Sequence, residues 1–222
     1  GNLTVYSGTS QGLSSTPTWV IDGCSLVIIN GCQIGSEFGA RLAVEDVNGD
    51  GFTDIIVTAP EYNSWETVHK DMEDGTQPVQ QSVVGLAAVY YGSSTGLGSE
   101  PAWTFTGRGH PVAGAGDVNG DGYGDLLLAT PSYDTNNDQD AGRVELFLGS
   151  QSGLATESSW EYVGKQAGSQ LGLSISGAGD INDDGFVDII VGAPFAADND
   201  MTASGQAMVF FGNGTGLGPE PQ

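Results

Sequence analysis

The 222-residue chain carries 28 acidic against 5 basic side chains, a formal charge of −23, and 38% of its residues are apolar. The charge argues against nucleic acid as a partner, and no stretch approaches the roughly 18 uninterrupted apolar residues of a membrane span. Glycine fills 36 positions without a collagen period, which points to many short strands and tight turns.

The chain opens on "LTVYSGTSQGL" (3–13), an alternating strand with a Gly-Leu turn, and Trp19 stands six residues after Leu13. It starts at Gly1 with no basic-then-apolar signal segment, as a mature, processed or excised product would. "CSLVIINGC" then brings Cys24 and Cys32 close together. The pair reads as a small disulfide loop in an oxidising compartment, with two free thiols as the plain alternative; a metal site lacks a nearby His or further Cys.

Next comes "DVNGDGFTD" at 46–54, repeated as "DVNGDGYGD" at 117–125 and "DINDDGFVD" at 180–188. Oxygen-bearing side chains stand at positions 1, 3, 5 and 9, with Gly at position 6. The first half of an EF-hand loop has the same spacing, with a backbone carbonyl at position 7 completing the shell. Three carboxylates, an amide and a carbonyl make a hard, all-oxygen donor set that suits calcium better than zinc or copper. Without a cation those carboxylates repel one another; with one, the turn is fixed. The plain alternative is that Asp, Asn and Gly make good turns, and three copies with the same four oxygen positions weigh against it. The third copy has Asp183 at position 4 in place of Gly, adding charge without removing a donor. "DTNNDQD" (134–140) lacks the bend glycine and reads as a solvated loop.

After each acidic turn an apolar run ends in Pro: "IIVTAP" (55–60), "LLLATP" (126–131) and "IIVGAP" (189–194). A variable polar loop follows, then a strand with a Gly-Leu turn, and the Leu-to-Trp spacing of six recurs at Leu97/Trp103 and Leu154/Trp160. Leu217 would place the next tryptophan at 223, one residue beyond the chain. The units repeat at about 60 residues, each reading as four short strands, which matches a blade of a β-propeller. The expected class is therefore all-β: about three blades of four-stranded antiparallel sheet plus a surplus strand, in one domain spanning 1–222. The units fall at about 1–88, 89–143 and 144–206, with the surplus strand at 207–222. The acidic turns start 27, 14 and 20 residues after Trp19, Trp103 and Trp160. Copy two, "GRGHPVAGAGD", thus reads as having lost much of a strand, and copy one carries a long polar insertion after Pro60.

These residues resemble the FG-GAP repeats of integrin alpha-subunit propellers and related secreted proteins. "EFG" (37–39) and "QLG" (170–172) look like the FG element, and "TAP", "ATP" and "GAP" like the GAP element. The resemblance implies calcium at three sites. The first would use Asp46, Asn48, Asp50, the carbonyl of Phe52, and Asp54. The second would use Asp117, Asn119, Asp121, the carbonyl of Tyr123, and Asp125, and the third Asp180, Asn182, Asp184, the carbonyl of Phe186, and Asp188. Family propellers usually have about seven blades, against material for three here. The resemblance also implies that the loops after the GAP element (61–86, 132–142, 195–205) share a face opposite the calcium turns, with the cysteine loop and "GRGHP".

Catalysis finds little support: His69 and His110 have no nucleophile at a recognisable spacing, so the chain is expected not to be an enzyme. The leading expectation is a calcium-binding adhesion module presenting loops to a protein or glycan partner, with Tyr62, Trp65 and Tyr133 as loop aromatics able to stack or anchor, or simply half-buried. Trp19, Trp103 and Trp160 repeat with the blade and are expected in the core. The rivals are a self-assembling structural subunit, forming a homo-oligomeric ring or fibre by head-to-tail packing, and a non-catalytic domain of a larger secreted enzyme. All place the chain outside the cell, secreted or on the cell surface, where Asn2 ("NLT") and Asn213 ("NGT") are candidate glycosylation sequons.

Overall fold

The computed structural model describes residues 1–23, 36–68, 79–107, 111–197 and 204–222, with 63–68 and 79–84 described by backbone alone. The predicted Cys24–Cys32 disulfide lies outside the described residues, as do His69 and His110. Among the described residues every regular element is a strand, and no helix is long and apolar enough to cross a membrane.

The chain begins with β1 (Asn2–Val5), the two-residue pair β2 (Gly8–Thr9) and β3 (Gly12–Leu13), and β4 (Trp19–Asp22), which pairs antiparallel with β1. Two complete four-stranded meanders follow. The first runs β5 (Arg41–Glu45), β6 (Asp54–Val68), β7 (Val79–Tyr90) and β8 (Trp103–Thr106); the second runs β9 (Val112–Gly116), β10 (Asp125–Thr130), β11 (Arg143–Phe147) and β12 (Trp160–Val163). A three-stranded sheet of β13 (Ser174–Gly179), β14 (Asp188–Ala193) and β15 (Gln206–Phe210) comes last, with the pair β16 (Gly212–Asn213) and β17 (Gly216–Leu217). Neighbouring strands within each sheet run antiparallel, and the sheets are blades of a β-propeller.

The continuous apolar run of β10, "DLLLAT", is buried at every position because both faces of this strand meet another sheet. Leu126 and Leu128 join Val47, Ile56, Val89, Trp103 and Phe147 in the core towards the preceding blade. Leu127 and Ala129 join Val144, Leu146, Ile189, Val191 and Phe210 in the core towards the next. A third core packs Leu3 and Ile21 of the β1/β4 pair against Val57, Ala59, Leu86, Ala88 and Tyr90. Truncating a central residue such as Leu127 to Ala would cost about 2–5 kcal/mol by this burial.

The innermost strands pack edge against edge: a Cβ on Gly114 would lie 2.8 Å from the Val44 carbonyl, and one on Gly177 2.9 Å from the Ala115 carbonyl. Only a residue without a side chain permits that approach. The FG elements cap the sheets, with Phe38 and Leu171 buried in two of the cores.

Three local expectations are revised. The insertion after Pro60 contains paired strand: Asn63–Val68 pairs residue for residue with Val79–Val84, beyond a register shift between Ala59 and Asn63. Copy two keeps its first strand, β9, because its missing residues come from the connection between β8 and β9. Tyr62 is buried in the core rather than offered to a partner, since it packs with Phe38, Val57 and Ala59.

Candidate metal-binding turns

The three acidic turns each join the first strand of a sheet to its second, β5 to β6, β9 to β10 and β13 to β14. In the first turn the Asp46 Oδ1 and the Asn48 Oδ1 both accept from the Asp50 backbone N–H, at 3.2 and 3.1 Å. One shared donor thus holds two oxygens side by side. The other Asp46 oxygen accepts from Gly51 N at 2.9 Å, and Asp50 accepts from Phe52 N at 2.8 Å and from the Asn48 amide at 3.2 Å.

The second turn repeats this set through Asp117, Asn119, Asp121, Gly122 and Tyr123 at 2.8–3.2 Å. The third repeats it through Asp180, Asn182, Asp184, Gly185 and Phe186 at 2.8–3.1 Å. Side chains at positions 1, 3 and 5 are therefore tied to one another and to the backbone of the bend in all three turns. The backbone turns back through left-handed residues at positions 4 and 6: Gly49 and Gly51, Gly120 and Gly122, and Asp183 and Gly185.

The aspartate at position 9 does something the spacing did not reveal. Asp54, Asp125 and Asp188 are fully buried. In each, one oxygen accepts from the backbone N–H at position 2 (Val47, Val118, Ile181) at 2.7–3.0 Å. The other accepts from the N–H of a glycine at the end of the third strand (Gly92, Gly149, Gly212) at 2.8–3.0 Å. Each carboxylate fastens its acidic turn to the Gly-Leu turn of the same sheet. The sequence signal was present, a glycine five residues before each turn leucine, but it carried no hint of its partner.

Burial pushes the Asp125 carboxyl up to about 7, with Asp121 and Asp117 adding to the effect and the two N–H bonds opposing it. Burial likewise raises the Asp54 carboxyl. A buried carboxylate beside other acids favours protonation unless a cation supplies the missing charge.

Adjacent turns are also joined. The Asp46 and Val47 carbonyls accept from Gly124 N (2.8 Å) and Ser150 N (3.2 Å) of the next sheet, and the Asp117 and Val118 carbonyls from Val187 N (3.3 Å) and Asn213 N (3.1 Å). The Tyr123 ring lies against Gly49, and the Phe186 ring against Gly120. Glu45, just before the first turn, accepts from Gly116 N at 3.1 Å.

Among the described residues no three Asp, Glu, His or Cys side chains stand assembled around one point. The turns fit a hard cation through their donor chemistry: three carboxylates and an asparagine oxygen per turn, mutually repelling and held on one bend. Other predicted residues lie elsewhere. Tyr133 is covered by the Arg143 guanidinium, 4.5 Å from its ring centre, and Arg143 in turn pairs with Glu145 at 2.9 Å. Trp65 lies in the segment Asn63–Val68 that pairs with Val79–Val84. The Asn213 Oδ1 accepts from Thr215 N and Oγ1 within its turn.

The FG-GAP repeat model matches residues 38–76, 112–146 and 171–210, each match spanning an acidic turn. Integrin alpha-IIb of Mus musculus is 35% identical over 202 residues, covering 83% of this chain and 18% of that protein. The Homo sapiens protein of that name is 33% identical over 196 residues, and integrin alpha pat-2 of Caenorhabditis briggsae 33% over 173 residues, covering 72% of this chain and 14% of the relative. The chain therefore spans less than a fifth of the length of these relatives. With three repeat matches falling on the three acidic turns of a propeller-blade architecture, the chain belongs to the FG-GAP repeat family.

Proposed function

We propose that residues 1–222 form a single propeller-type domain that binds calcium and serves as a non-enzymatic adhesion module outside the cell, presenting loops to a protein or glycan partner. The observation that carries this is the recurrence, three times, of one hydrogen-bonded acidic turn with the same donor set. Calcium would be held by Asp46, Asn48, Asp50 and Asp54, by Asp117, Asn119, Asp121 and Asp125, and by Asp180, Asn182, Asp184 and Asp188, with the carbonyls of Phe52, Tyr123 and Phe186. Bound there, it would offset the carboxylate repulsion and stiffen the end of the blades at which the turns lie. The similarity to integrin alpha-IIb and integrin alpha pat-2 supports the adhesive reading, and the hairpin of 61–86 is the first place to seek the partner. Calorimetric titration should give three calcium equivalents per chain, and beads coated with the chain should adhere to cells or matrix in calcium but not in chelator. A chain that takes up no calcium, or adhesion indifferent to trimming the hairpin, would overturn the respective half of the reading.

A second reading, self-assembly into a ring or fibre, is favoured by one feature. Leu42 and Val44 are exposed on the innermost strand of the first full sheet, and Ile190 is exposed in the last sheet, with Phe195 exposed past the end of β14. The β1/β4 pair covers the Val57, Leu86 and Tyr90 part of the first full sheet and leaves Leu42 and Val44 beside it as an apolar strip, the kind of edge that head-to-tail packing would bury. Light scattering on a sizing column in calcium separates the readings: a particle near 22.8 kDa is a monomer, and calcium-dependent growth is assembly.

A further inference from the structure

The repeat breaks at one place, where the β1/β4 pair meets the first full sheet. The position six residues before the turn leucine is Tyr91 in the first full sheet and Ser7 in the β1/β4 unit. The Tyr91 hydroxyl occupies the space that a side chain on Gly153, in the next sheet's Gly-Leu turn, would take. The glycine equivalent to Gly153 and facing Ser7 is Gly96. There the short serine leaves a cavity of about 390 Å³, bounded by Ser7, Thr18, Trp19, Ser94, Thr95 and Gly96. Tyr91 fills this place between the first and second full sheets, and Leu148 stands at the same position in the second full sheet; beside Ser7 the place is open.

A second feature breaks with it. The Trp103 indole N–H donates to the Ala155 carbonyl at 2.9 Å and the Trp160 indole N–H to the Gly218 carbonyl at 3.0 Å, in each case the residue after the turn leucine. The equivalent bond from Trp19 to Gly98 is not made, and among the described residues the Trp19 N–H has no partner. Trp19 is held by an edge-on contact with Tyr90, ring centres 5.4 Å apart, so its orientation is set while its N–H stays available.

We propose that this cavity is a binding site for a neutral pyranose sugar. The place left open beside Ser7 is the one that the Tyr91 ring fills between the first and second full sheets. The lining supplies an indole ring, its free N–H and four hydroxyl side chains, Ser7, Thr18, Ser94 and Thr95, the mixture of apolar face and short polar groups that a sugar ring presents in return. The Ser7 and Thr18 hydroxyls bond to each other, Thr18 also to the Val5 carbonyl, and Thr95 to Ser93, each at 3.1 Å, so an aromatic hydrocarbon would leave the Trp19 N–H and the Ser94 hydroxyl without a partner, at a cost. No charged side chain borders the cavity, and a chain of charge −23 disfavours an anionic sugar. The site lies at the end of the blades that carries the acidic turns, because Gly92, at the root of the Gly-Leu turn, is bonded to Asp54. It is therefore separate from the 61–86 hairpin, and either reading can fail alone.

The test is nitrogen-15 NMR of the calcium-treated chain titrated with the methyl glycosides of glucose, galactose, mannose and N-acetylglucosamine to about 20 mM, a range suited to millimolar affinity. The Trp19 indole signal is assigned from Trp19→Phe. At least one glycoside is expected to shift that signal and the Thr95 and Gly96 amides saturably. Ser7→Tyr, which supplies the ring that Tyr91 supplies between the first and second full sheets, should abolish the response without lowering the melting temperature. Thr95→Val, which keeps the shape and removes one hydroxyl, should weaken it severalfold. A Trp19 signal that no glycoside moves, a response undiminished in both variants, or saturation by p-cresol in place of every glycoside would each overturn the proposal.

Discussion

The Tyr123 ring, at position 7 of the second acidic turn, lies over Gly49, at position 4 of the first, so closely that a Cβ on Gly49 would meet it at 2.8 Å. Phe186 and Gly120 repeat the relationship at 2.9 Å. Asp183 holds the same place in the third turn, at φ 61°, with no described aromatic pressed against it.

Gly49→Ala and Gly120→Ala combine left-handed strain with overpacking, and each should destabilise the chain by about 2–4 kcal/mol. Asp183→Gly should instead stabilise it by a few tenths to about 1 kcal/mol, since glycine accepts that backbone freely. Chemical denaturation of the three variants checks the signs; equal losses at all three positions would contradict the account.

Two carboxylates of one turn should behave differently on removal. Asp125→Ala strands two buried N–H groups, those of Val118 and Gly149, at about 1–3 kcal/mol each, and that loss should persist in chelator. Asp121 is exposed, so Asp121→Ala should weaken calcium binding tenfold or more while barely moving the melting point of the metal-free chain. Melting both variants with and without calcium separates the roles.

Calcium should raise the melting temperature, because a ligand that binds only the folded chain stabilises it by about 2.7 kcal/mol at a hundredfold excess over its dissociation constant. The carbonyl bridges from Asp46 to Gly124 and from Asp117 to Val187 link the turns, so loss of one site should lower affinity at its neighbour. Calorimetry on Asp50→Ala, read at the second site, measures this; an unchanged second site would show the turns to be independent.

The metal-free chain should lose stability as pH rises from about 4 to about 7. Burial holds the Asp125 carboxyl at about 7 in the fold against 3.8 for an ordinary aspartate, so within that window the folded state keeps a proton that the unfolded state has released. Asp54, also raised, adds the same sign. Calcium competes with that proton, so its affinity should weaken on acidification below about 7. Melting in chelator at pH 5 and 8 checks the slope, and Asp125→Asn should flatten it.

Trp160→Phe keeps the edge-on contacts with Phe210 and removes the bond to Gly218. It should cost about 0.5–1.5 kcal/mol from that bond and somewhat more from lost area, read from denaturation midpoints.

Much of the molecule was legible in one dimension because its determinants are local. Strand-forming runs, glycine bends and the 1-3-5-9 oxygen spacing act within nine or ten residues, and three repetitions separated them from chance. The all-β class and the blade followed. What depends on contact between distant segments was not legible. Asp54 is spoken for by Gly92, 38 residues away, and Tyr62 is drawn into a core by Phe38. The insertion after Pro60 looked like a loop because its polar composition hides the pairing of Asn63–Val68 with Val79–Val84. Whether Ser7 leaves a cavity depends on a turn some 90 residues on, since the space between two sheets belongs to neither sequence alone.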